Sequence, residues 1–391
     1  MKKIAMVVLS SFPRDVRVRR EAEALEEAGN QVDVICITPR GEPKKEVINN
    51  INIYRLGLKR QRAGKLAYIW EYIYFFMWAF FKLTLLFASK KYDLIHVHNM
   101  PDILVFTAII PKLFGKRVIL DMHDPMPELY MTMFEMNNDA PLIKFLRWTE
   151  KISIKFVDQV ITPNISFRNL FISRGCPPEK INIVMNSPDE KIFKKNGING
   201  RRNTESNFVI MYHGTILKRS GLDILIDAVA LVRDKIPNLK VIIYGRGNFL
   251  DEVKRKVTEL NLSKIVEIRG SVIVDEIAEA IKGINLGIIP NRLSPFTQIN
   301  FPVRTFEYLV MNKPVIVPMT KGILDYFSEG SIFFFKAGDC EDLAKTIFEV
   351  YRNKENTKLI LTKSIEVFSN YSWEYQKQNL IELTNKLTVN K

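Results

Sequence analysis

Histidine is scarce in this chain: four occur in 391 residues, His96, His98, His123 and His213. His98 ends the apolar run Leu94–His98, His123 and Asp124 directly follow the run Arg117–Asp121, and His213 closes Val209–Tyr212. An imidazole at the end of a strand can bind sugar hydroxyls or manage protons near neutral pH. His96 and His98 are two residues apart and so share one strand face. The plain alternative, a structural histidine capping a loop, stays open for all four and weighs most on His96 and His213.

A second set of residues suits an anion. Gly214 and Thr215 follow the strand ending at His213, and Lys218-Arg219-Ser220-Gly221 opens the next helix. A glycine permits close approach of a ligand, a helix start offers free N–H groups, and Arg219 is a fixed cation suited to a pyrophosphate. Gly245-Arg246-Gly247 is a fragment of a dinucleotide fingerprint, since Leu250 stands where its third glycine would be. In Phe301-Pro302-Val303-Arg304-Thr305-Phe306-Glu307, a carboxylate near a helix start needs partners, and a ribose hydroxyl pair would supply two hydrogen bonds. Arg304 is placed to meet a phosphate; a surface Arg304–Glu307 ion pair is the bland alternative.

These residues need a scaffold of strands ending at one edge. Ile4–Leu9 reads as a buried strand, Val18, Ala22, Leu25 and Ala28 recur at helical spacing up to Gly29, and Val32–Ile37 is the next strand. Similar units recur through Gln159–Thr162, then again from Val209 to Val317. The expected fold class is α/β, two doubly wound parallel-sheet, Rossmann-like domains facing across a cleft, with ligands beyond the carboxyl ends of the strands. The boundaries expected are 1–186 for the first domain, 187–207 for a polar linker, 208–371 for the second domain and 372–391 for a last helix.

Composition narrows the function classes. Hydrophobic residues at 47% and charged residues at 26% describe a folded chain of two domains. Three widely spaced cysteines without a CxxC pair argue against a disulfide scaffold, and no HExxH pattern supports a zinc hydrolase. The net charge of +14 favours an anionic partner, while no nucleic-acid module is recognisable, so no nucleic-acid partner is expected. Met1–Leu9 imitates a signal peptide but lacks a cleavage site, and the chain is expected to stay in the cytoplasm.

Leu66–Ser89 is crowded with aromatic residues and follows Arg55, Lys59, Arg60, Arg62 and Lys65. Its uncharged core, Tyr72–Phe81, is shorter than the ~20 residues a span needs. The 55–89 segment therefore reads as an interfacial anchor on an anionic membrane, with Arg60, Arg62, Trp70, Phe75 and Trp78 facing it. A core helix behind a solvated basic loop is the competing reading.

Taken together, Asp15-Val16-Arg17-Val18 with Glu21-Ala22, Tyr92–His98, Asp121-Met122-His123-Asp124, Tyr212-His213-Gly214-Thr215, Arg219 with Gly221-Leu222-Asp223, and Pro302–Pro314 around Glu307-Tyr308 resemble family 4 (group 1) retaining glycosyltransferases of the GT-B fold. The resemblance implies transfer of a sugar from a UDP- or GDP-linked donor to an acceptor bound mainly by the first domain; the basic-aromatic 55–89 segment adds the expectation that the acceptor is a lipid-linked glycan or glycolipid at the inner face of the cell membrane, in cell-surface polysaccharide assembly. The nucleotide-sugar is then a substrate, with no cofactor and no metal. By the same resemblance His123 and Asp124 are catalytic, Gly214, Thr215, Arg219, Gly245, Arg304 and Glu307 bind donor, and His98, Asp15 and Arg17 serve the acceptor. It also implies that the last helix crosses back to the first domain. A nucleotide-sugar 2-epimerase of the same fold is one alternative, and a non-catalytic sugar-nucleotide-binding subunit is another, to which the fall of the first glutamate of the family's EX7E motif at Ile299 gives weight.

Overall fold

The computed structural model describes residues 1–38, 41–58, 65–193 and 207–389. The chain divides into two compact units: unit 1 is Met1–Asn186 with Glu374–Lys391, and unit 2 is Ser187–Trp373.

In chain order unit 1 runs β1 (Lys3–Ser11), α1 (Val16–Glu27), β2 (Gln31–Thr38), β3 (Lys45–Ile48), β4 (Ile51–Gly57), α2 (Lys65–Lys90), β5 (Leu94–His98), α3 (Ile109–Leu113), β6 (Arg117–Asp121), α4 (Met126–Phe134), α5 (Pro141–Phe156), β7 (Gln159–Thr162), α6 (Ile165–Ser173) and β8 (Ile181–Ile183). Its sheet has the order β3-β4-β2-β1-β5-β6-β7-β8, parallel except for the β3–β4 edge pair. The order turns around between β1 and β5, the switch point beside which ligands of such sheets bind. Asp15 caps α1 by accepting from the Arg17 amide, which fixes both side chains just beyond the end of β1.

Unit 2 continues with β9 (Phe208–His213), α7 (Leu222–Val232), β10 (Leu239–Tyr244), α8 (Leu250–Glu259), β11 (Val266–Arg269), α9 (Val274–Lys282), β12 (Leu286–Ile288), α10 (Arg304–Val310), β13 (Val315–Pro318), α11 (Lys321–Leu324), β14 (Phe333–Phe335), α12 (Cys340–Arg352) and α13 (Lys354–Ser369). Its six strands are all parallel, ordered β11-β10-β9-β12-β13-β14, with the switch point between β9 and β12. The final helix, α14 (Trp373–Val389), returns to unit 1, where Leu380 and Leu383 join the core formed by Ile4, Met6, Val18, Ala22 and Leu25.

Right-handed crossovers sort the helices of unit 1 by face. The chain moves one way along the sheet from β1 to β2 through α1, and the other way through α2, α3 and α5, so those three helices cover the face opposite α1.

Four expectations need correction. Phe75 does not face outward: with Ala79, Leu83 and Phe87 it forms an i, i+4 stripe buried against the sheet. Trp70 is exposed and Trp78 half-buried, whereas Arg60 and Arg62 lie outside the described residues. Arg55 belongs to no basic surface loop, because it sits in β4, buried, and donates to Glu46 at 2.6 Å and to the Phe12 carbonyl at 3.2 Å. The aromatic segment is also longer than its uncharged core suggested: Trp70–Lys90 is one helix long and apolar enough, by length and composition, to cross a membrane. The expected linker is shorter where it is described, since Phe193 is buried and Ser187 donates its hydroxyl to the Tyr371 carbonyl within unit 2.

Candidate functional site

In unit 1, parallel pairing of β1, β5 and β6 gathers side chains that are far apart in sequence. His96 and His98 stack on one face of β5 with ring centroids 4.4 Å apart, and the ring of His123 stacks on His98 at 5.3 Å. Nδ1 of His98 lies 3.1 Å from Asp121 Oδ2 and 3.2 Å from His123 Nε2. One assignment meets both contacts: the His98 Nδ1–H is shared between the two acceptors and His123 carries its proton on Nδ1. Beneath them, Glu21 Oε2 lies 3.5 Å from His96 Nε2.

Burial sets the charges of this cluster. Glu21 is pushed well above the carboxylate range by burial and by the neighbouring Asp121, so it holds its proton. Burial also acts to raise Asp121, but the three histidines around it win and hold it low. His96 is driven well down by burial, and His123 is pushed down to about 3 chiefly by burial, with Arg17 and His98 adding to it. Asp15 is brought down to about 2, since Arg17 and His123 outweigh its burial. Arg17 in turn feels Asp15, Asp124 and Asp121, which raise it against the effect of burial. Five residues singled out from the sequence, Asp15, Arg17, His98, His123 and Asp124, thus share one end of the sheet.

Glu21, His96, His98 and Asp121 present ligand atoms within 4.8 Å of one another, a donor set of the kind that takes a divalent cation.

Asn99 was not among the expected site residues. Its Oδ1 accepts from the His123 amide at 2.9 Å, its Nδ2 donates to Asp102 Oδ1 at 3.0 Å and to the Asp124 carbonyl at 2.9 Å, and its own amide donates to the Asp121 carbonyl. That buried side chain fixes the backbone on which both candidate catalytic residues stand. The sequence signal for it is its position, one residue beyond the histidine that ends β5.

In unit 2 the centre is His213, at the carboxyl end of β9. Its Nε2 is 2.6 Å from Glu307 Oε2 and its Nδ1 2.9 Å from the Tyr308 hydroxyl, whose proton goes to the Met211 carbonyl. Arg304 donates to the His213 carbonyl, and its guanidinium lies 4.7 Å over the Tyr212 ring. Arg304 and Glu307, one turn apart on α10, therefore both turn towards the end of β9. Gly214, at φ +134°, passes directly under that arginine: a Cβ there would stand 2.5 Å from Arg304 Nη1. Gly245, at φ +157°, packs against the Gly214 carbonyl, where a Cβ would overlap the oxygen. Two backbone segments and a guanidinium thus meet with no side chain between them.

Thr215 is exposed, and its carbonyl accepts from Ser220 Oγ at 2.8 Å and Tyr212 Oη at 3.0 Å. Arg219 lies half-buried with its guanidinium 5.3 Å over Phe296, and its carbonyl accepts the Arg292 amide. Arg292 in turn pairs with Asp223 in the first turn of α7. Ile299 sits half-buried in the loop before α10, without a polar group to offer.

The fold and both sequence halves have known relatives. Residues 15–190 match the profile Glycosyltransferase Family 4, and residues 189–364 match Glycosyl transferases group 1. The chitobiosyldiphosphodolichol beta-mannosyltransferase of Debaryomyces hansenii is 21% identical over 416 residues, covering 97% of this chain and 86% of that one. The sulfoquinovosyl transferase SQD2 of Arabidopsis thaliana is 20% identical over 305 residues, 73% of this chain, which spans 55% of that relative's length. The lipopolysaccharide 1,2-N-acetylglucosaminetransferase of Salmonella typhimurium is 22% identical, covering 68% of this chain and 71% of that one. Among solved structures, sucrose-phosphate synthase from Thermosynechococcus elongatus superposes with a TM-score of 0.79 at 18% identity, both chains fully covered. Anabaena HepE in complex with UDP and glucose gives 0.72 at 16% identity, covering 99% of this chain and 100% of that one. Matched through both units, the chain belongs to the family 4, group 1 glycosyltransferases, on a GT-B fold of two parallel-sheet α/β domains.

Proposed function

We propose that this protein transfers a sugar, with retention, from a UDP- or GDP-linked donor to a lipid-linked glycan or glycolipid held at the inner face of the membrane. The observation that carries the reading is the cluster at the end of β9, where Gly214, Gly245, Arg304, Glu307 and His213 converge at the switch point of unit 2. A diphosphate takes the bare backbone at Gly214 and Gly245, with Thr215 beside it and Arg304 and Arg219 as the cations. Glu307 accepts from the ribose hydroxyls. The negative charge that develops on the departing diphosphate falls on groups already oriented, so no metal is needed.

In unit 1 His123, neutral through the physiological range, bonds the transferring sugar, with Asp124 beside it. Asp15, Arg17 and His98 serve the acceptor. Transfer occurs on one face of the sugar: the acceptor hydroxyl bonds to the anomeric carbon, the bond to the diphosphate oxygen breaks, and that oxygen takes the hydroxyl proton. The names of relatives support a membrane-held acceptor, since two of them act on a dolichol-linked and a lipopolysaccharide substrate. The exposed apolar side of α2 supports attachment to an anionic bilayer.

Titration of nucleotides and nucleotide-sugars, followed by turnover on a panel of lipid-linked and free glycan acceptors, tests the reading. Glu307→Ala is expected to weaken nucleotide binding by roughly 10- to 100-fold. His123→Ala is expected to lower kcat by about 10² to 10³ with binding retained. A chelator should leave turnover unchanged. Conversion of the sugar-nucleotide without acceptor would make the protein an epimerase, and binding without turnover on any acceptor would make it a binding subunit, the reading that Ile299 favours. Wild-type behaviour of both variants would remove the site assignment altogether.

A further inference from the structure

Helix α2 keeps an outward apolar side: Trp70, Ile73, Tyr74, Met77, Phe81 and Leu85 are exposed opposite its buried stripe. A second helix on the same face of the sheet carries the same chemistry. On α5, Leu142, Phe145 and Trp148 stand exposed at i, i+3 and i+6, Phe145 at 53% and Trp148 at 55%, with their two rings 5.9 Å apart. Lys144, Lys151 and Lys155 are exposed on the same side of the helix. The helix has one acidic residue, Glu150, which is buried and bonded to Arg174. Just before it, exposed Asp139 lies 3.5 Å from Lys144.

The two helices are coupled through the 3-10 turn Asp102–Ala108, against which both pack. Phe106 of that turn meets Phe156 of α5 at 5.0 Å, and Phe87 of α2 meets Phe114, just after α3, at 5.9 Å. Leu113 and Phe114, at the end of α3, are exposed as well. A water-facing helix would normally carry charges of both signs on its outer side. Rings with lysines, and no exposed carboxylate on the helix itself, are instead the complement of an interface with anionic headgroups.

We propose that α5 is a second lipid-contacting element, so that unit 1 meets an anionic bilayer on two helices, with Phe145 and Trp148 in the interface and Lys144, Lys151 and Lys155 at the phosphates. The proposal rests on the membrane reading above, and the test separates the two. The full chain is floated with phosphatidylcholine vesicles containing or lacking phosphatidylglycerol, at low salt. The double variant Phe145→Ser/Trp148→Ser and the α2 double variant Trp70→Ser/Phe81→Ser are each expected to lower partition at least tenfold, with the thermal midpoint unchanged. In a chain whose other three tryptophans are phenylalanine, Trp148 emission should be quenched by brominated lipid.

If the wild-type chain ignores anionic vesicles, the membrane reading falls and this proposal with it. If the wild type binds and the α2 variant is released, but the α5 variant binds like wild type or Trp148 is not quenched, the proposal alone is overturned. It is overturned equally if light scattering shows that the α5 variant turns a dimer into a monomer while vesicle binding is kept, because α5 would then be an interface between copies.

Discussion

His123 is held neutral by burial, and this has a thermodynamic consequence that can be measured. In the unfolded chain an imidazole titrates near its ordinary value, ~6.5, whereas in the folded chain it takes its proton only near 3. Between those values the unfolded state binds more protons, so stability falls as the pH drops from about 6.5 towards 3. His96, shifted the same way, adds to the slope. In His123→Gln, the loss of unfolding free energy between pH 7 and pH 5 is expected to shrink by on the order of 1–2 kcal/mol, read from urea titrations at the two values. An unchanged loss would mean that His123 is not buried as a neutral ring. The sequence pointed to His98 and His123 because a histidine ending an apolar run is a local signal. Glu21, Asp121 and Asn99 have no such signal for their roles, which depend on β1, β5 and β6 lying side by side. Arg304 and Glu307 were legible as a pair on one helix, but their common partner, His213, is about ninety residues earlier.

At the level of elements, α2 shows how one sequence pattern serves two surroundings. Aromatic residues all round a helix leave its buried side undetermined by composition, so only the i, i+4 set Phe75, Ala79, Leu83 and Phe87 is selected, by the sheet it lands on. Lys82, one of its few charges, lies 4.7 Å over the Tyr54 ring, and Lys90 pairs with the buried Asp33, so even the cations help to seat the helix. Phe75→Ala is expected to destabilise unit 1 by about 3–5 kcal/mol in urea unfolding. Trp70→Ala, at a position 68% exposed, should change it by no more than about 0.5 kcal/mol. A larger loss from Trp70→Ala than from Phe75→Ala would show that the helix is seated on its other side. The strands were easier to read than this helix, because a continuous apolar run between turn residues has only one common meaning in a parallel sheet.

For the whole molecule, the alternation of strands and helices sufficed to expect two doubly wound sheets, since each half repeats the same βαβ rhythm. The antiparallel β3 edge has no local sequence signal, because its four residues alternate between exposed and half-buried, with no apolar run. The destination of α14 was equally hidden in local periodicity and came only from family resemblance. Leu380 is fully buried in the unit 1 core, and Leu380→Ala is expected to cost about 2–5 kcal/mol. The loss should appear in the unfolding transition of unit 1, followed through amides of β1 and β2 by hydrogen exchange, with those of β9 and β10 unaffected. Protection lost equally from both sets would mean that the units unfold as one.

Because α14 completes a core begun at β1, translation imposes an order on assembly. A ribosome must deliver all of Ser187–Trp373 before the side chains of Leu380 and Leu383 exist to close the first sheet. The later-made unit is therefore finished first, and the earlier-made one waits on the nascent chain with an open apolar seam, the period in which a chaperone has most to hold.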